Sequence, residues 1–509
     1  MTNLSIHDFE QIIFNNKEFI LNKSQELKLQ ESFTFLHNFS ADKVIYGINT
    51  GFGSMAQFII KQKDLSGLQY NLIRSHCTGL GKPLQSFYAR SVLLARLNTL
   101  LQCKSGVSPM VIKKIVEFLN ADIAPEIFEH GSVGASGDLV QLAHLALNLI
   151  GEGHVYVEGQ RVKTVKALSQ AQIEPLKLEL RDGLGLINGT SCMTGVGLIN
   201  IIYAKRLLNW SISCSAIINE IVESYDDSIS KQLNEAKLHQ GQRKVASKMR
   251  AIVKDSKLIK HRVDFYKNPK NREHHTLEKK IQEYYSIRCV PQILGPVNDT
   301  LEYAQNILEN ELNSTNDNPI IDVKSQNVFH GGNFHGDYVS LEMDKIKTVI
   351  TKLSILCERQ LNFLLNPSLN NQFPAFLNTQ TLGFNFGLQG AQFTATSTVA
   401  ENQTLSFPNY VHSIPSNNDN QDIVSMGTNS ALLTGKVIEN SFQVMAIHLI
   451  AICQAIDLLK EGKKEELSSY AKAIYHEVRQ LVPTIKNDRP LTDDINSIIN
   501  YVKLKNLDL

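Results

Sequence analysis

Gly131-Ser132-Val133-Gly134-Ala135-Ser136-Gly137-Asp138-Leu139 is the stretch on which the reading of this chain turns. It follows an acidic segment and leads into an apolar run, Leu139 to Ile150, that reads as a helix. The plain account is a glycine-rich turn whose Ser136 or Asp138 caps that helix. Ala135-Ser136-Gly137 permits a sharper account. In a bent loop the Gly137 amide nitrogen approaches the Ala135 carbonyl carbon, and glycine, lacking a Cβ, allows the approach. Ring closure with loss of two waters, one from the Ser136 side chain, leaves a methylidene-imidazolone. Its exocyclic methylene is an electrophile, which no standard side chain supplies and which other enzymes import as a cofactor. A helix dipole behind the loop favours electron density moving into the ring.

Outward from this loop, the composition is that of a soluble globular protein, with 43% hydrophobic and 20% charged residues. The net charge of +1 gives no field that would draw nucleic acid or an anionic membrane. Seven cysteines are scattered with no C-x-x-C pair. An odd, dispersed set argues against a disulfide framework and a zinc site, and fits a reducing cytoplasm. Met1 to Glu10 is polar and acidic, so no signal peptide is expected. Lys257 to Lys280 is rich in Lys and Arg and reads as a solvated loop. Its adjacent His274 and His275 are a weak metal signal, and no metal is expected.

The elements are mostly helical. Leu341, Ile346, Val349, Ile350, Leu353, Leu356, Cys357 and Leu361 recur at three- and four-residue steps and share one helix face. Residues 436–460 are apolar nearly all round, which suits the middle of a bundle or a subunit contact. Gly183 to Ala204 carries no charge, but Asn188, Thr190, Ser191 and Asn200 argue for a buried helix over a membrane span. Val155 to Val162, turning at Glu158-Gly159, reads as a small hairpin, and Ile320–Val323 with Asn327–His330 as another. The fold expected is mainly α, a long-helix bundle with small β pieces. The domains expected are 1–205, carrying the loop, and 206–509, the bundle with a polar helical tail from 461.

The Ala-Ser-Gly-Asp sequence resembles the self-processing signature of the aromatic amino acid ammonia-lyases, which include histidine, phenylalanine and tyrosine ammonia-lyases and related aminomutases. Further blocks match in the family's order: Tyr46-Gly47-Ile48-Asn49-Thr50-Gly51-Phe52-Gly53, Leu186-Ile187-Asn188-Gly189-Thr190, Gln282-Glu283-Tyr284-Tyr285-Ser286-Ile287-Arg288, Gly331-Gly332-Asn333-Phe334-His335, and Asn420-Gln421-Asp422-Ile423-Val424-Ser425-Met426-Gly427. The resemblance runs from about Tyr46 to Ala455 and is strongest to bacterial tyrosine ammonia-lyases.

The resemblance implies an ammonia-lyase fold, a homotetramer with sites shared between subunits, and a cofactor self-formed from Ala135-Ser136-Gly137 with no external one. It makes Tyr46 the base that takes the substrate's β-proton. A free phenol holds its proton at neutral pH, so the site must favour the phenolate. Tyr285 helps with protons, and Arg288 clamps the substrate carboxylate through its planar fork. Gln282 lies further back on the same expected helical face. Asn188 bonds the electrophile or the carboxylate, Phe334 packs on the electrophile, and Gly53 belongs to the substrate-binding block of Tyr46. Asn417, one turn before Gln421 if that segment is helical, lies near the amine. Ser75-His76 falls where the family reads the substrate side chain; histidine lyases share it, which leans toward histidine. Gln421 leans the other way, because histidine lyases place glutamate there. Together they imply tyrosine, with His76 bonding a phenolic hydroxyl. A histidine ammonia-lyase and an aromatic aminomutase remain the alternatives, and a non-catalytic helical scaffold is a third.

Overall fold

The computed structural model describes residues 3–266, 281–507 and 509. His274, His275 and much of the basic stretch lie outside the described residues. The expected helical architecture is present, with long helices at Ser191–Ile221, Val290–Leu312, Asp337–Leu365 and Gly427–Asp457. By contacts the chain forms two compact units, each assembled from three stretches. The first comprises 1–202, 304–344 and 408–435; the second comprises 203–303, 345–407 and 436–509.

The first unit holds the glycine-rich loop. Residues Leu139–Leu149 form the expected helix, with Asp138 at its N-cap. The Asp138 side chain does not cap that helix. Its carboxylate accepts instead from the amides of Cys192 and Met193, both at 2.9 Å, and so caps the start of Ser191–Ile221. The uncharged segment 183–204 is not one helix. A short helix, Asp182–Ile187, stops at Asn188 and the chain restarts at Ser191. Asn188, Gly189 and Thr190 form the break, which releases Asn188 from helical geometry.

Both small hairpins form. His154–Val157 pairs antiparallel with Gln160–Lys163, and Ala124–Pro125 adds a third strand. Glu158 and Gly159 both have positive φ, as a tight two-residue hairpin turn requires. Ile320–Asp322 pairs with Asn327–Phe329. Beneath this second hairpin, Leu36, Ile45, Ile48 and Ile321 make one buried cluster. Burying each such side chain stabilises by roughly 1.5–3 kcal/mol, which fixes the backbone on both sides of Tyr46.

The second unit is almost wholly helical. Its stretch of Gly427–Asp457 is apolar nearly all round, as expected, with Lys436 and Glu439 engaged in ion pairs. That helix is long and apolar enough to cross a membrane, yet 89% of its most apolar window is buried inside the protein, as in a core helix. The C-terminal residues form two 13-residue helices, Ser469–Leu481 and Thr492–Leu504. These are amphipathic and bury Ile474, Val478, Ile498 and Val502.

Candidate active site

The first unit contains a cavity of about 780 Å³ lined by Tyr46, Gly53, His76, Ser136, Gly137, Asn188, Phe334, Asn417 and Gln421. These residues come from six separated stretches of sequence. A groove of about 820 Å³ between helices Lys23–Phe39 and Pro109–Asn120 is slightly larger. Its polar groups are surface Lys, Glu and Gln side chains, with no nucleophile or base set in a buried frame.

Ser136 sits at the cavity wall, half-buried, between buried Ala135 and Gly137. The loop is clamped from several sides. Ser425 Oγ donates to the Gly134 carbonyl at 3.0 Å, and the Gly336 amide reaches the same carbonyl at 3.1 Å. The Met426 amide bonds the Val133 carbonyl at 3.0 Å. Gly137 has φ of +71°, and a Cβ there would lie 2.1 Å from the Gly189 carbonyl oxygen. Only glycine fits, because the backbone is left-handed and the Gly189 backbone touches it. The Asp138 amide donates to that same Gly189 carbonyl at 2.7 Å.

Asn188 joins this loop to the rest of the site. Its Nδ2 donates to the Ser136 carbonyl at 3.0 Å, and its Oδ1 accepts from the Asn318 amide at 2.9 Å. The Asn318 segment is braced from behind. Arg181 donates to the carbonyl oxygens of Ser105, Asn318 and Pro319. Asp317, fully buried, lies 3.5 Å from Arg181 and 3.9 Å from Arg96. Arg96 also bonds Asn316 Oδ1 at 3.2 Å. Losing Asp317 would leave both guanidinium groups buried without their counter-ion, a strongly destabilising change.

Asp138 is the second buried carboxylate. Ser132 Oγ donates to it at 2.8 Å and Thr428 Oγ1 at 2.5 Å, besides the two helix amides. Burial pushes its carboxyl up, while these four donors pull it down. It therefore stitches the loop to the N-terminal ends of Ser191–Ile221 and Gly427–Asp457, all inside the first unit.

Tyr46 lies on a turn between buried Ile45 and Ile48. The Gly53 amide donates to the Tyr46 phenol oxygen at 3.2 Å. Gly53 has φ of +55°, and a Cβ there would meet Asn417 Nδ2 at 2.4 Å. Asn417 is not on a helix, so the condition for placing it near the amine is not met. Asn417, Asn418 and Asp419 all have positive φ and form a tight turn between Ser416 and Gln421. Asn and Asp tolerate that region better than other residues do, which is why the turn is built from them. Gln421 Nε2 donates to Ser136 Oγ at 2.9 Å, and its Oε1 accepts from Ser416 Oγ at 3.2 Å.

His76 ends the helix Leu65–His76. Its Nδ1 lies 2.9 Å from the Leu72 carbonyl oxygen and 3.1 Å from Ser75 Oγ. A carbonyl only accepts, so this contact assigns the proton of the neutral ring to Nδ1 and leaves Nε2 as an acceptor. None of the residues lining the cavity is Asp or Glu among the described residues.

Gln282, Tyr285 and Arg288 belong to the second unit and do not line this cavity. Tyr285–Arg288 is a single helical turn, and Gln282 precedes it, so the three do not share a helical face. Arg288 bonds Gln282 Oε1 and stacks over the Tyr285 ring at 4.8 Å. Gln360 fixes the turn by donating to the Ser286 carbonyl at 2.8 Å. Tyr285 is 70% exposed.

Sequence reasoning missed Asn318 and the Arg96–Asp317–Arg181 triad. One signal lay at Asn318: Asn316-Asp317-Asn318 is a wholly polar run before Pro319, and all three polar residues are buried.

A family model described as aromatic amino acid lyase matches residues 4–480. A tyrosine ammonia-lyase of Cupriavidus metallidurans is 39% identical over 465 residues, 90% of this chain and 87% of that protein. A histidine ammonia-lyase of Bacillus cytotoxicus is 36% identical over 501 residues, 98% and 95% of the two chains. The crystal structure of a tyrosine aminomutase from Streptomyces globisporus superposes with a TM-score of 0.94 at 36% identity, covering 98% of this chain and 95% of that one. With its family matched along nearly its whole length and its fold shared, the chain belongs to the aromatic amino acid lyases.

Proposed function

We propose that this protein is a tyrosine ammonia-lyase, converting L-tyrosine to trans-4-coumarate and ammonia. The observation that carries this reading is the polar lining of the cavity. It includes the His76 ring, whose Nδ1 is engaged by the Leu72 carbonyl so that Nε2 is left as the acceptor, and no carboxylate among the described residues. A phenolic O–H donates to that nitrogen. A phenylalanine ring leaves it unmet, at a cost of roughly 1–3 kcal/mol. An imidazole substrate finds no acid to balance a ring charge, and Gln421 is neutral.

Ala135, Ser136 and Gly137 fit the self-formed methylidene-imidazolone. Gly137 is left-handed with no room for a Cβ, and Asn188 already holds the carbonyl that such a ring keeps. When formed, that group supplies the electrophile that activates the substrate's leaving amine. The chain's other residues supply the rest. Tyr46 Oη takes the β-proton, and the Gly53 amide stabilises the oxygen while it carries charge. Asn188 Nδ2 steadies charge developing on the Ser136 carbonyl oxygen. Arg288 clamps the substrate carboxylate and Tyr285 relays protons. Both lie on the second unit, Tyr285 with its ring exposed, which favours completion of each site by another copy in a homotetramer.

The likeness to an aminomutase favours a second reading, in which ammonia is returned to the β-carbon; product identity separates the two. His76→Phe tests the substrate assignment. The ratio of kcat/KM for tyrosine over phenylalanine is expected to fall by about tenfold to a hundredfold, the worth of one buried hydrogen bond. An unchanged ratio removes His76 from ring recognition and the tyrosine assignment with it.

A further inference from the structure

Gln421 is bonded to the one side-chain oxygen that self-processing must expel. Its Nε2 donates to Ser136 Oγ at 2.9 Å. Its Oε1 accepts from Ser416 Oγ at 3.2 Å, which sets the amide with its NH₂ end toward Ser136. The backbone beneath is equally fixed. The Ser416 amide donates to the Gln421 carbonyl at 3.1 Å, and the Gln421 amide returns a bond at 3.3 Å. On the far side, Asn188 holds the Ser136 carbonyl at 3.0 Å. Carbonyl and hydroxyl of Ser136 are thus gripped by separate amide side chains.

We propose that Gln421 is a catalytic residue of maturation, assisting loss of the Ser136 hydroxyl. This rests on the reading of Ala135-Ser136-Gly137 as self-processing. The first water takes the Ala135 carbonyl oxygen with the amide protons of Gly137 and Ser136, as the Gly137 N to Ala135 C bond forms. The second takes Ser136 Oγ with its proton and the Cα proton. The electrons of the Cα–H bond become the Cα–Cβ double bond, and the Cβ–Oγ pair leaves with oxygen. Only protons move besides these, so no oxidant or reductant is needed. Charge gathers on Oγ as the Cβ–Oγ bond breaks, and an N–H donor fixed in advance stabilises it there without reorganising. Departure of the hydroxyl then leaves the Gln421 donor facing the cavity where substrate binds. A glutamate at this position donates only while protonated.

The test follows maturation directly. The full chain is made in a cell-free pulse, quenched in acid at intervals and digested, and the peptide holding residues 135–137 is weighed. Wild type should become lighter by two waters. Gln421→Leu should accumulate a peptide lighter by one water, with the second loss slowed by about tenfold to a hundredfold. A structural role alone would not stop the process between the two waters. Loss of both waters at the wild-type rate overturns the proposal. If Gln421→Leu does not fold, Gln421→Glu decides. A second loss that slows as pH rises, where wild type does not, supports the donor role; pH-independent wild-type kinetics overturn it. A wild-type chain that loses no water overturns the self-processing reading instead.

Discussion

At the scale of single residues, Ser136→Ala removes one oxygen from a loop that is otherwise held by backbone contacts. The loop should stay in place, because its clamps are the Gly134, Val133 and Gly189 carbonyls. Activity should fall by on the order of a thousandfold or more, as expected when a reacting group is removed and binding remains. Turnover of tyrosine by a purified Ser136→Ala chain with an unchanged circular dichroism spectrum checks this; near wild-type turnover contradicts it. Of the cavity residues, Tyr46, Ser136, Asn188, Phe334 and Gln421 were legible in the sequence, since each sits in a short block with its own chemistry. The residues that were not legible act at one remove. Asp138 looked like a cap for its own helix, because capping is local and its true partners, Cys192 and Met193, are 54 and 55 residues away. Arg96, Arg181 and Asp317 carry no local motif, as a buried ion pair is defined only by what the fold brings together.

Elements were read best where periodicity is long and worst where polar residues set the turn. The helices at 337–365 and 427–457 and both hairpins follow from pattern alone. The break at Asn188 and the turn at Asn417 do not, since each depends on left-handed or extended backbone at Asn, Asp or Gly. The break also leaves Asp182 buried at the start of its own short helix. Asp182 accepts from the Ser108 amide and hydroxyl, each at 2.8 Å, and from the Glu179 amide at 3.0 Å. Burial outweighs these bonds and pushes its carboxyl up to about 6. The folded state therefore favours the protonated form. That contribution is fully present below the ordinary value of 3.8 and is lost as pH rises through about 6. Asp182→Asn should lower the thermal midpoint overall, having one acceptor oxygen fewer. It should also flatten the decline that wild type shows across this window. Midpoints measured by scanning fluorimetry across the window check the slope; parallel curves contradict it.

For the whole molecule, the single chain gathers Tyr46, Ser136, Asn188 and Gln421 at one cavity in the first unit and keeps Gln282, Tyr285 and Arg288 on the second. An elimination needs both a base and a carboxylate clamp in register, since positioning supplies much of the rate. That need, and the exposed Tyr285, point to assembly. Light scattering is expected to give about four times the 57.0 kDa chain mass. A fully active monomer contradicts the shared site. Sequence could place the blocks in order but not say which unit each joins, because the chain returns to the first unit twice after leaving it. The central claim is tested most directly by supplying L-tyrosine, L-phenylalanine and L-histidine separately, following product absorbance and identifying each product by chromatography. The account predicts that tyrosine is turned over with the highest kcat/KM and yields 4-coumarate with an equal amount of ammonia. Faster formation of urocanate from histidine, or accumulation of a β-amino acid in place of 4-coumarate, would contradict it.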